Sequence, residues 1–250
     1  MRIGFLGYGK IGKAVAAHVL ESGNEISFVQ DPFVAEAGDA PVVAEADEEL
    51  LAATDLVVEC AMASVLKENF DAIIEHCDLV CFSLTAFADD AFWTHACEAC
   101  QRTGHTVFIP HGAILGLDGI RDGRQIIHEV SIVTTKSPKS LGLGDAGITE
   151  PTVVFEGSTR EACGAFPRNV NVHAAVALAG IGFDATRSKI VADPSVSTNA
   201  HVISVKGEGI DFELHISSFT TGGVTGIYTP LSACGSIDRI VRGGAGFSFV

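Results

Sequence analysis

The chain has 250 residues, of which 47% are apolar, and its 16 Lys and Arg against 31 Asp and Glu give a formal net charge of −15. This length is enough for one large domain or two smaller ones that fold without disulfide bonds or metal ions. The acidic balance argues against nucleic acid or an anionic membrane as a partner, because both bind to basic surfaces.

Short apolar strands alternate with helix-like segments through the first 110 residues. The strand-like runs are RIGFL, EISFVQ, DLVVEC, DLVCFS and HTVFIP. Helical periodicity appears near residues 10–22, around residue 48, and near residues 65–76 and 89–102. This alternation predicts βαβ units on a parallel sheet of the Rossmann type.

The pattern changes after residue 112, where a Gly-rich segment leads into a strand-rich region. Its strand-like runs are EVSIVTTK, TVVFEG, ATRSKIVADP, HVISVKG and DFELHISS, with a helical segment near residues 172–180. Polarity mostly alternates along these runs, which predicts a second α+β domain with a mixed or antiparallel sheet. We expect a first domain over residues 1–112 and a second over residues 113–221. The segment 222–250 is expected to form a helix that packs back on the first domain.

The sequence GYGKIG closes the first strand and opens the first helix, with Gly7, Gly9 and Gly12 in the G-x-G-x-x-G spacing. The first glycine permits a tight turn, the second lets the backbone approach a pyrophosphate, and the third lets the helix pack against the strand. Asp31 ends the second strand, where its carboxylate can bind both ribose hydroxyls and would repel a 2′-phosphate. The pattern favours bound NAD over NADP. The alternative is a tight strand-to-helix turn that binds no ligand. The predicted cofactor residues of this region are Gly7, Gly9, Lys10, Ile11, Gly12 and Asp31.

Two of the nine histidines lie in segments suited to catalysis. Hydride transfer at a carbon that bears oxygen or nitrogen needs a proton carrier near neutral pH, and histidine titrates there. His111 follows the VFIP strand, at the carboxyl edge where open α/β sheets bind ligands. His201 lies in ADPSVSTNAHVISV, where a polar loop delivers it to the start of a strand. The pattern favours His201 and leaves His111 as the alternative.

Several strings resemble the L-aspartate dehydrogenases, over roughly residues 2–207. They are GYGKIG, VVECA, SLTAFAD, IPHGAILGLDGI, KSPKSLGL, TVVFEGSTREACGAFPRNVNV and IVADPSVSTNAHVI. The resemblance implies NAD(P)-dependent deamination of L-aspartate to iminosuccinate or oxaloacetate and ammonia, or the reverse amination, in NAD biosynthesis. It also implies that the histidine of the ADP…H segment, His201, is catalytic. Ala113 of GAI and Asn171 of FPRNVNV match cofactor-binding positions of the family.

A dicarboxylate substrate needs fixed cations near the reacting carbon in a protein this acidic. TTKSPKS offers Lys136 and Lys139, and FPRN offers Arg168. An Arg can pair with a carboxylate through two hydrogen bonds, whereas a Lys acts as a point charge. We predict that Lys139 and Arg168 bind the substrate, together with Asn199.

Two features depart from the family pattern. FTTGGVTGIYTP follows LHISS where relatives carry an ENPKTS-like stretch, and position 111 is His111 where they typically have a small polar residue. Both leave open an NAD(P)-dependent dehydrogenase or reductase of another imino or amino acid on the same scaffold. A further alternative is a non-catalytic NAD-binding regulatory protein, although the polar loop around His201 argues against it.

The remaining expectations concern assembly, location and metal. We expect a homodimer, because related enzymes suggest one and the strand-rich domain offers a face for pairing. Strand-like sequence begins at the second residue and no apolar run approaches a membrane span, so we expect a cytoplasmic protein. The seven cysteines are expected to be reduced. No metal is expected, because the single CxxC, Cys97 to Cys100, has no second pair.

Overall fold

The structure of the protein is a computed structural model that describes residues 1–219 and 226–241. Internal contacts divide the chain into two compact units. Of the described residues, the first unit contains Met1–Pro110 and residues 230–241, and the second contains residues 111–219 and 226–229. Within the described ranges, every helix is too short or too polar to cross a membrane.

The first unit is built on a parallel sheet of six strands. The strands are β1 (Arg2–Leu6), β2 (Glu25–Gln30), β3 (Val42–Val43), β4 (Leu56–Glu59), β5 (Asp78–Cys81) and β6 (Val107–Phe108). Their order is β3-β2-β1-β4-β5-β6, and all neighbouring pairs are parallel. The connecting helices are α1 (Lys10–Glu21), α2 (Glu48–Ala52), α3 (Ala63–His76) and α4 (Asp90–Thr103), and a 3₁₀ helix spans Leu84–Ala88.

The core of the first unit lies around the central strands. All four residues of β4 and the last four of β1 are buried, so both faces of the sheet are covered. This burial explains their mostly apolar sequence, which is interrupted by Glu59 at the end of β4. The C-terminal helix α8 (Tyr228–Val241) contributes to this core. Its residues Ala233 and Ile237 lie in the same buried cluster as Val15 of α1. A hydrogen bond of 2.8 Å between His18 Nε2 and Asp238 Oδ1 also joins the two helices.

The second unit contains a mixed sheet of five strands. The strands are β7 (Ile127–Lys136), β8 (Thr152–Ser158), β9 (Arg187–Ala192), β10 (Thr198–Gly207) and β11 (Ile210–Phe219), in the order β11-β10-β7-β9-β8. β7 and β9 pair in parallel, and the other three pairs are antiparallel. The predicted fold class, a Rossmann-type sheet with a second α+β domain that carries a mixed sheet, is confirmed.

Sequence patterns did not predict two short helices of this unit. These are α5 (Leu117–Gly123) and α6 (Thr159–Ala165), whereas α7 (Asn171–Ala179) matches the predicted helical segment. A capping box starts α6, since Ser158 and Glu161 satisfy each other's backbone N–H groups. The S-x-x-E spacing of Ser158 and Glu161 could therefore have predicted the start of α6. α5 lies in the Gly-rich segment after residue 112, where its composition argues against a helix.

One face of the second sheet is buried and divides into an apolar and a polar end. Alternate residues of β7 and β10 point to this face, which gives both strands a regular buried and half-buried alternation. Towards the start of β7 the buried residues are apolar. Towards its end they are polar, and the opposite end of β10 continues this polar area. The polar residues are Thr134, Lys136, Asn199 and His201.

Candidate functional site

The glycine turn of the first unit has a shape that requires its outer two glycines. Gly7 has a φ of +93°, and a Cβ there would lie 2.8 Å from the Ala61 backbone nitrogen. A Cβ on Gly12 would lie 2.6 Å from the Gly7 carbonyl oxygen. A Cβ on Gly9, by contrast, would meet nothing within 4 Å. The middle glycine therefore borders open space, where a bound group can approach the backbone closely.

This open space lies at the amino terminus of α1. Gly9 is the residue that caps the helix, no side chain caps it, and no acidic residue lies in the first turn. The first N–H groups of the helix carry a partial positive charge and suit an anion such as a pyrophosphate. Lys10 is exposed and Ile11 half-buried at the first two helical positions.

Asp31 is bound to the glycine turn. Its Oδ2 accepts a hydrogen bond of 2.7 Å from the Tyr8 backbone N–H, and its Oδ1 accepts one of 2.9 Å from Phe33. The Gly7 N–H donates to the Gln30 carbonyl at 2.9 Å. The structure therefore brings together the six cofactor residues predicted in this unit, at the carboxyl ends of β1 and β2. Their geometry fits a dinucleotide, with the pyrophosphate beside Gly9 and a ribose beside Asp31.

His201 lies at the polar end of the second unit's sheet, with 2% of its surface exposed. It stands opposite Thr134 in the β7–β10 register, and its Nδ1 is 2.8 Å from Thr134 Oγ1. Burial, and after it the nearby charge of Lys136, lower the pKa of His201 to about 3. The imidazole is therefore neutral at pH 7, which is the protonation state that a general base requires.

A chain of buried hydrogen bonds continues behind Thr134. Its Oγ1 is 2.7 Å from Nε2 of His173 in α7, and His173 Nδ1 is 2.8 Å from Ser188 Oγ in β9. Ser188 Oγ is in turn 2.8 Å from Thr159 Oγ1 at the start of α6. Sequence reasoning missed these partners, because they come from four elements and no linear spacing relates them.

Lys136 is the buried cation of this region. It is 5% exposed, and its Nζ donates a hydrogen bond of 3.2 Å to the Asn169 carbonyl. Burial lowers the pKa of Lys136 to about 8. Lys136 follows Thr134 by two residues on the same face of β7, and its charge lowers the pKa of both His201 and His173. The alternation along EVSIVTTK is the signal that places Lys136 inward.

The three residues predicted to bind substrate differ in their environment. Asn199 is 7% exposed and lies two residues before His201 on the same face of β10. Lys139 is exposed on a 3₁₀ helix that spans Pro138–Leu141. Arg168 is exposed in the turn before α7. The structure thus places Asn199 on the polar face with His201, whereas Lys139 and Arg168 are at the surface of the unit.

The two halves of the chain match two family models. Residues 7–110 match the homoserine dehydrogenase NAD binding domain, and residues 118–240 match the C-terminal domain of aspartate dehydrogenase. L-aspartate dehydrogenase 1 of Bordetella pertussis is 36% identical over 224 residues, which cover 87% of this chain and 86% of that protein. The chain belongs to the L-aspartate dehydrogenase family. This confirms the resemblance found in the sequence strings.

Further members of the L-aspartate dehydrogenase family support the assignment. The Archaeoglobus fulgidus enzyme is 35% identical over 217 residues, which cover 86% of each chain. The crystal structure of aspartate dehydrogenase from Thermotoga maritima matches with a TM-score of 0.83 at 30% identity, covering 100% of this chain and 99% of that one. The similarity to the family therefore extends over both units.

The other positions singled out by the family resemblance lie in the second unit. Ala113 is half-buried in the connection after β6, and Asn171 is the first residue of α7. His111, the alternative catalytic histidine, is half-buried and accepts a hydrogen bond at its carbonyl from the Ile114 N–H at 3.2 Å. Half of the segment that departs from the L-aspartate dehydrogenase pattern, residues 220–225 of 219–230, lies outside the described residues. Among the described residues, no group of three or more His, Cys, Asp or Glu could hold a metal ion.

Proposed function

We propose that this chain deaminates L-aspartate oxidatively with NAD, or aminates oxaloacetate in the reverse direction, and that His201 is its catalytic base. The observation that carries the proposal is a buried, neutral imidazole at the polar end of a sheet, in a member of the L-aspartate dehydrogenase family. A buried histidine of this kind can exchange protons with a bound substrate without competition from bulk water.

The first unit provides the cofactor site. NAD supplies the hydride acceptor or donor when it is bound. The backbone beside Gly9 and the amino terminus of α1 bind the pyrophosphate, and the Asp31 carboxylate binds the adenosine ribose. Ala113 and Asn171 complete the cofactor contacts. An Asp31 carboxylate favours NAD, and NADP is the second cofactor to test.

His201 accepts a proton from the substrate amine or from the attacking water, and returns it to the departing ammonia. Its low pKa depends in part on the charge of Lys136. A bound substrate carboxylate would compensate that charge, so we expect the pKa of His201 to rise when substrate binds, although burial, the larger cause, still lowers it. A higher pKa makes the imidazole a better proton acceptor than it is in the free enzyme.

The polar end of the sheet provides the substrate site. Lys136 is a fixed cation beside His201, and it meets the requirement for positive charge that a dicarboxylate imposes on an acidic protein. We propose Lys136 as a carboxylate ligand, with Asn199 as a neutral hydrogen-bonding partner. Lys139 and Arg168 stay proposals for the second carboxylate.

We propose that different parts of the chain bind the cofactor and the substrate. Residues 1–112 bind the cofactor, and residues 113–221 bind the substrate and form the subunit contact of a homodimer. The segment 222–250 returns to the first domain, a proposal supported by the burial of Ala233 and Ile237 in that unit's core. A cytoplasmic location accompanies the proposal, because NAD and free amino acids are available there.

The decisive assay follows the loss of NADH absorbance with ammonium and oxaloacetate. We expect turnover with oxaloacetate and little with pyruvate or 2-oxoglutarate, and faster turnover with NADH than with NADPH. His201→Ala should lower kcat by about 10² to 10⁴ and leave NAD affinity unchanged. Preferential turnover of another keto acid would instead identify a dehydrogenase of a different amino acid. NAD binding without any turnover would favour the regulatory alternative.

A further inference from the structure

We propose that the buried hydrogen-bond chain behind His201 fixes the tautomer of its imidazole, so that Nδ1 carries the proton and Nε2 is the free base. The inference rests on the proposed role of His201 and adds the groups that prepare it for that role. These positioning residues are Thr134, His173, Ser188 and Thr159, and the chain of hydrogen bonds ends at the carbonyl of Thr186.

Every member of this hydrogen-bond chain is shielded from water. The exposed fractions of its side chains run from 0% to 2%. A buried polar group that lacks a partner costs free energy comparable to a lost hydrogen bond. The members must therefore satisfy one another, and each hydroxyl has a single hydrogen to donate. Knowing the direction of one hydrogen bond then determines the direction of the next.

The direction is set at the end farthest from His201. A backbone carbonyl can only accept, and the Thr186 oxygen accepts from the Thr159 N–H at 2.9 Å and from the Thr159 hydroxyl at 3.2 Å. The Thr159 hydroxyl has then used its hydrogen, so it accepts from the Ser188 hydroxyl at 2.8 Å. Ser188 has used its hydrogen as well, so its oxygen accepts from Nδ1–H of His173 at 2.8 Å.

The neutral imidazole of His173 carries this direction to His201. Complete burial lowers the pKa of His173 well below its usual value, so the ring holds one proton. With that proton on Nδ1, Nε2 accepts from the Thr134 hydroxyl at 2.7 Å. The Thr134 oxygen in turn accepts from Nδ1–H of His201 at 2.8 Å. The remaining nitrogen of His201, Nε2, carries a free lone pair.

This arrangement suits a base that gains and loses a proton in each turnover. In the described parts of the chain, the His201 ring makes no hydrogen bond besides the one to Thr134. That hydrogen bond has the same donor whether Nε2 is protonated or not. The four positioning residues therefore keep their arrangement through the proton transfer, and no hydroxyl has to rotate.

The direct test reads the tautomer without using activity. Long-range ¹H–¹⁵N correlation spectra of protein labelled with ¹⁵N-histidine distinguish a protonated from an unprotonated ring nitrogen. The spectrum of His201→Gln identifies the signals of His201. At pH 7 we expect Nδ1 of both His201 and His173 to be protonated. A proton on Nε2 of His201 would overturn the inference, even if the enzyme turns over aspartate, and the spectrum is equally readable if it does not.

The kinetic test uses substitutions that remove one hydroxyl. Thr134→Val removes the acceptor of His201 Nδ1, and we expect kcat to fall at least about tenfold while KM for NAD stays unchanged. A histidine in the wrong tautomer costs about 10⁴ in a serine protease, which sets the upper end. Thr134→Ser, which keeps the hydroxyl, should recover most of the loss and the pH profile of the wild type.

Thr54→Val is the matched control, because Thr54 is also a buried threonine whose hydroxyl is hydrogen-bonded to a second hydroxyl, Ser27 Oγ, at 2.9 Å. Thr54 lies in the first unit, whereas His201 lies in the second. We expect this variant to keep the wild-type kcat. Ser188→Ala removes the acceptor of His173 Nδ1 and should lower kcat less than Thr134→Val does. A wild-type kcat and pH profile in Thr134→Val would overturn the inference, as would an equal loss in Thr54→Val.

Discussion

The hydroxyl of Thr134 lies between two imidazoles, 2.8 Å from His201 Nδ1 and 2.7 Å from His173 Nε2. The β7–β10 register puts Thr134 directly opposite His201, and α7 supplies the second ring. A single residue thus connects the proposed base to the interior of its domain. The charge that acts on this pair belongs to Lys136.

Lys136→Met should raise KM for oxaloacetate about tenfold to a hundredfold, since a hydrogen bond to a charged group contributes about 1.5 to 3 kcal/mol. Lys139→Met is the comparison variant, because it removes the exposed lysine that the sequence favoured as a substrate ligand.

The pKa of Lys136 is about 8, so the ammonium is charged below this pH and neutral above it. We therefore expect KM for oxaloacetate in the wild type to rise above pH 8 and to stay level in Lys136→Met. Steady-state kinetics from pH 6.5 to 9.5 measure both effects, and a larger KM change in Lys139→Met would reverse the assignment.

Acid should unfold the protein in part through its buried histidines. Burial lowers the pKa of His201 to about 3 and that of His173 well below 6.5, so the unfolded chain binds more protons than the folded one between pH 6.5 and about 3. Stability therefore falls as the pH drops through this window, by up to about 1.4 kcal/mol per pH unit for each histidine. We expect a weaker dependence in His201→Gln. Urea unfolding between pH 7.5 and 4.5 measures it, with the exposed His128→Gln as the control, and equal slopes in all three proteins would contradict the prediction.

The first two glycines of the turn should separate folding from cofactor binding. Gly7→Ala introduces a Cβ at a φ of +93° and 2.8 Å from a backbone nitrogen, so we expect a loss of stability of about 1 to 3 kcal/mol. Gly9→Ala meets nothing within 4 Å and should cost less than about 1 kcal/mol. Its methyl group occupies the space proposed for the pyrophosphate, so NAD affinity should fall more than tenfold. Urea unfolding and calorimetric titration with NAD measure the two effects. Wild-type affinity in Gly9→Ala would place the pyrophosphate elsewhere.

Glu59 should stabilise the carboxyl ends of the central strands of the first sheet, beside the glycine turn. Both of its carboxylate oxygens accept from donors: Oε1 from the Ala61 N–H at 2.8 Å and the Ser83 hydroxyl at 2.6 Å, and Oε2 from the N–H groups of Phe82 and Ser83 at 3.2 and 2.9 Å. In Glu59→Gln the amide NH₂ group would face some of the N–H and O–H donors that the carboxylate binds, and an NH₂ group cannot accept hydrogen bonds from them. We expect a loss of about 2 to 3 kcal/mol in the free energy of unfolding, measured in urea. Glu75→Gln changes an exposed carboxylate and should be nearly neutral.

Local patterns were sufficient to predict the strand, the glycine turn and the helix that form the proposed cofactor region. The immediate surroundings of Gly7 and Gly12 require a glycine at each position, and Asp31 directly follows the end of a strand. The alternating polarity of the later strands likewise predicted a second, mixed sheet. These features depend on neighbours in sequence, or on the regular geometry of parallel strands, so a single sequence contains them.

The partners of His201 depend on tertiary packing and could not be predicted in the same way. His173 looks like an ordinary residue of an apolar helix, and Ser188 like an ordinary residue of a strand. They meet because α7 brings His173 against both β7 and β9, and this tertiary packing is not encoded locally. The choice between Lys136 and Lys139 is different, since the phase of β7 points the first inward and the second lies beyond the strand. That phase is visible in the sequence as the alternation along EVSIVTTK.

The place of α8 in the first unit has a consequence for how the protein is made. Ala233 and Ile237 are synthesised more than 100 residues after the strands whose apolar cluster they complete. A nascent chain that has just finished β6 therefore still exposes part of its nucleotide-binding half to the surroundings. The helix α8 follows the whole second unit in the chain, so the first unit completes its core only after the second unit has been synthesised, and removal of α8 would weaken the part of the chain that is made first.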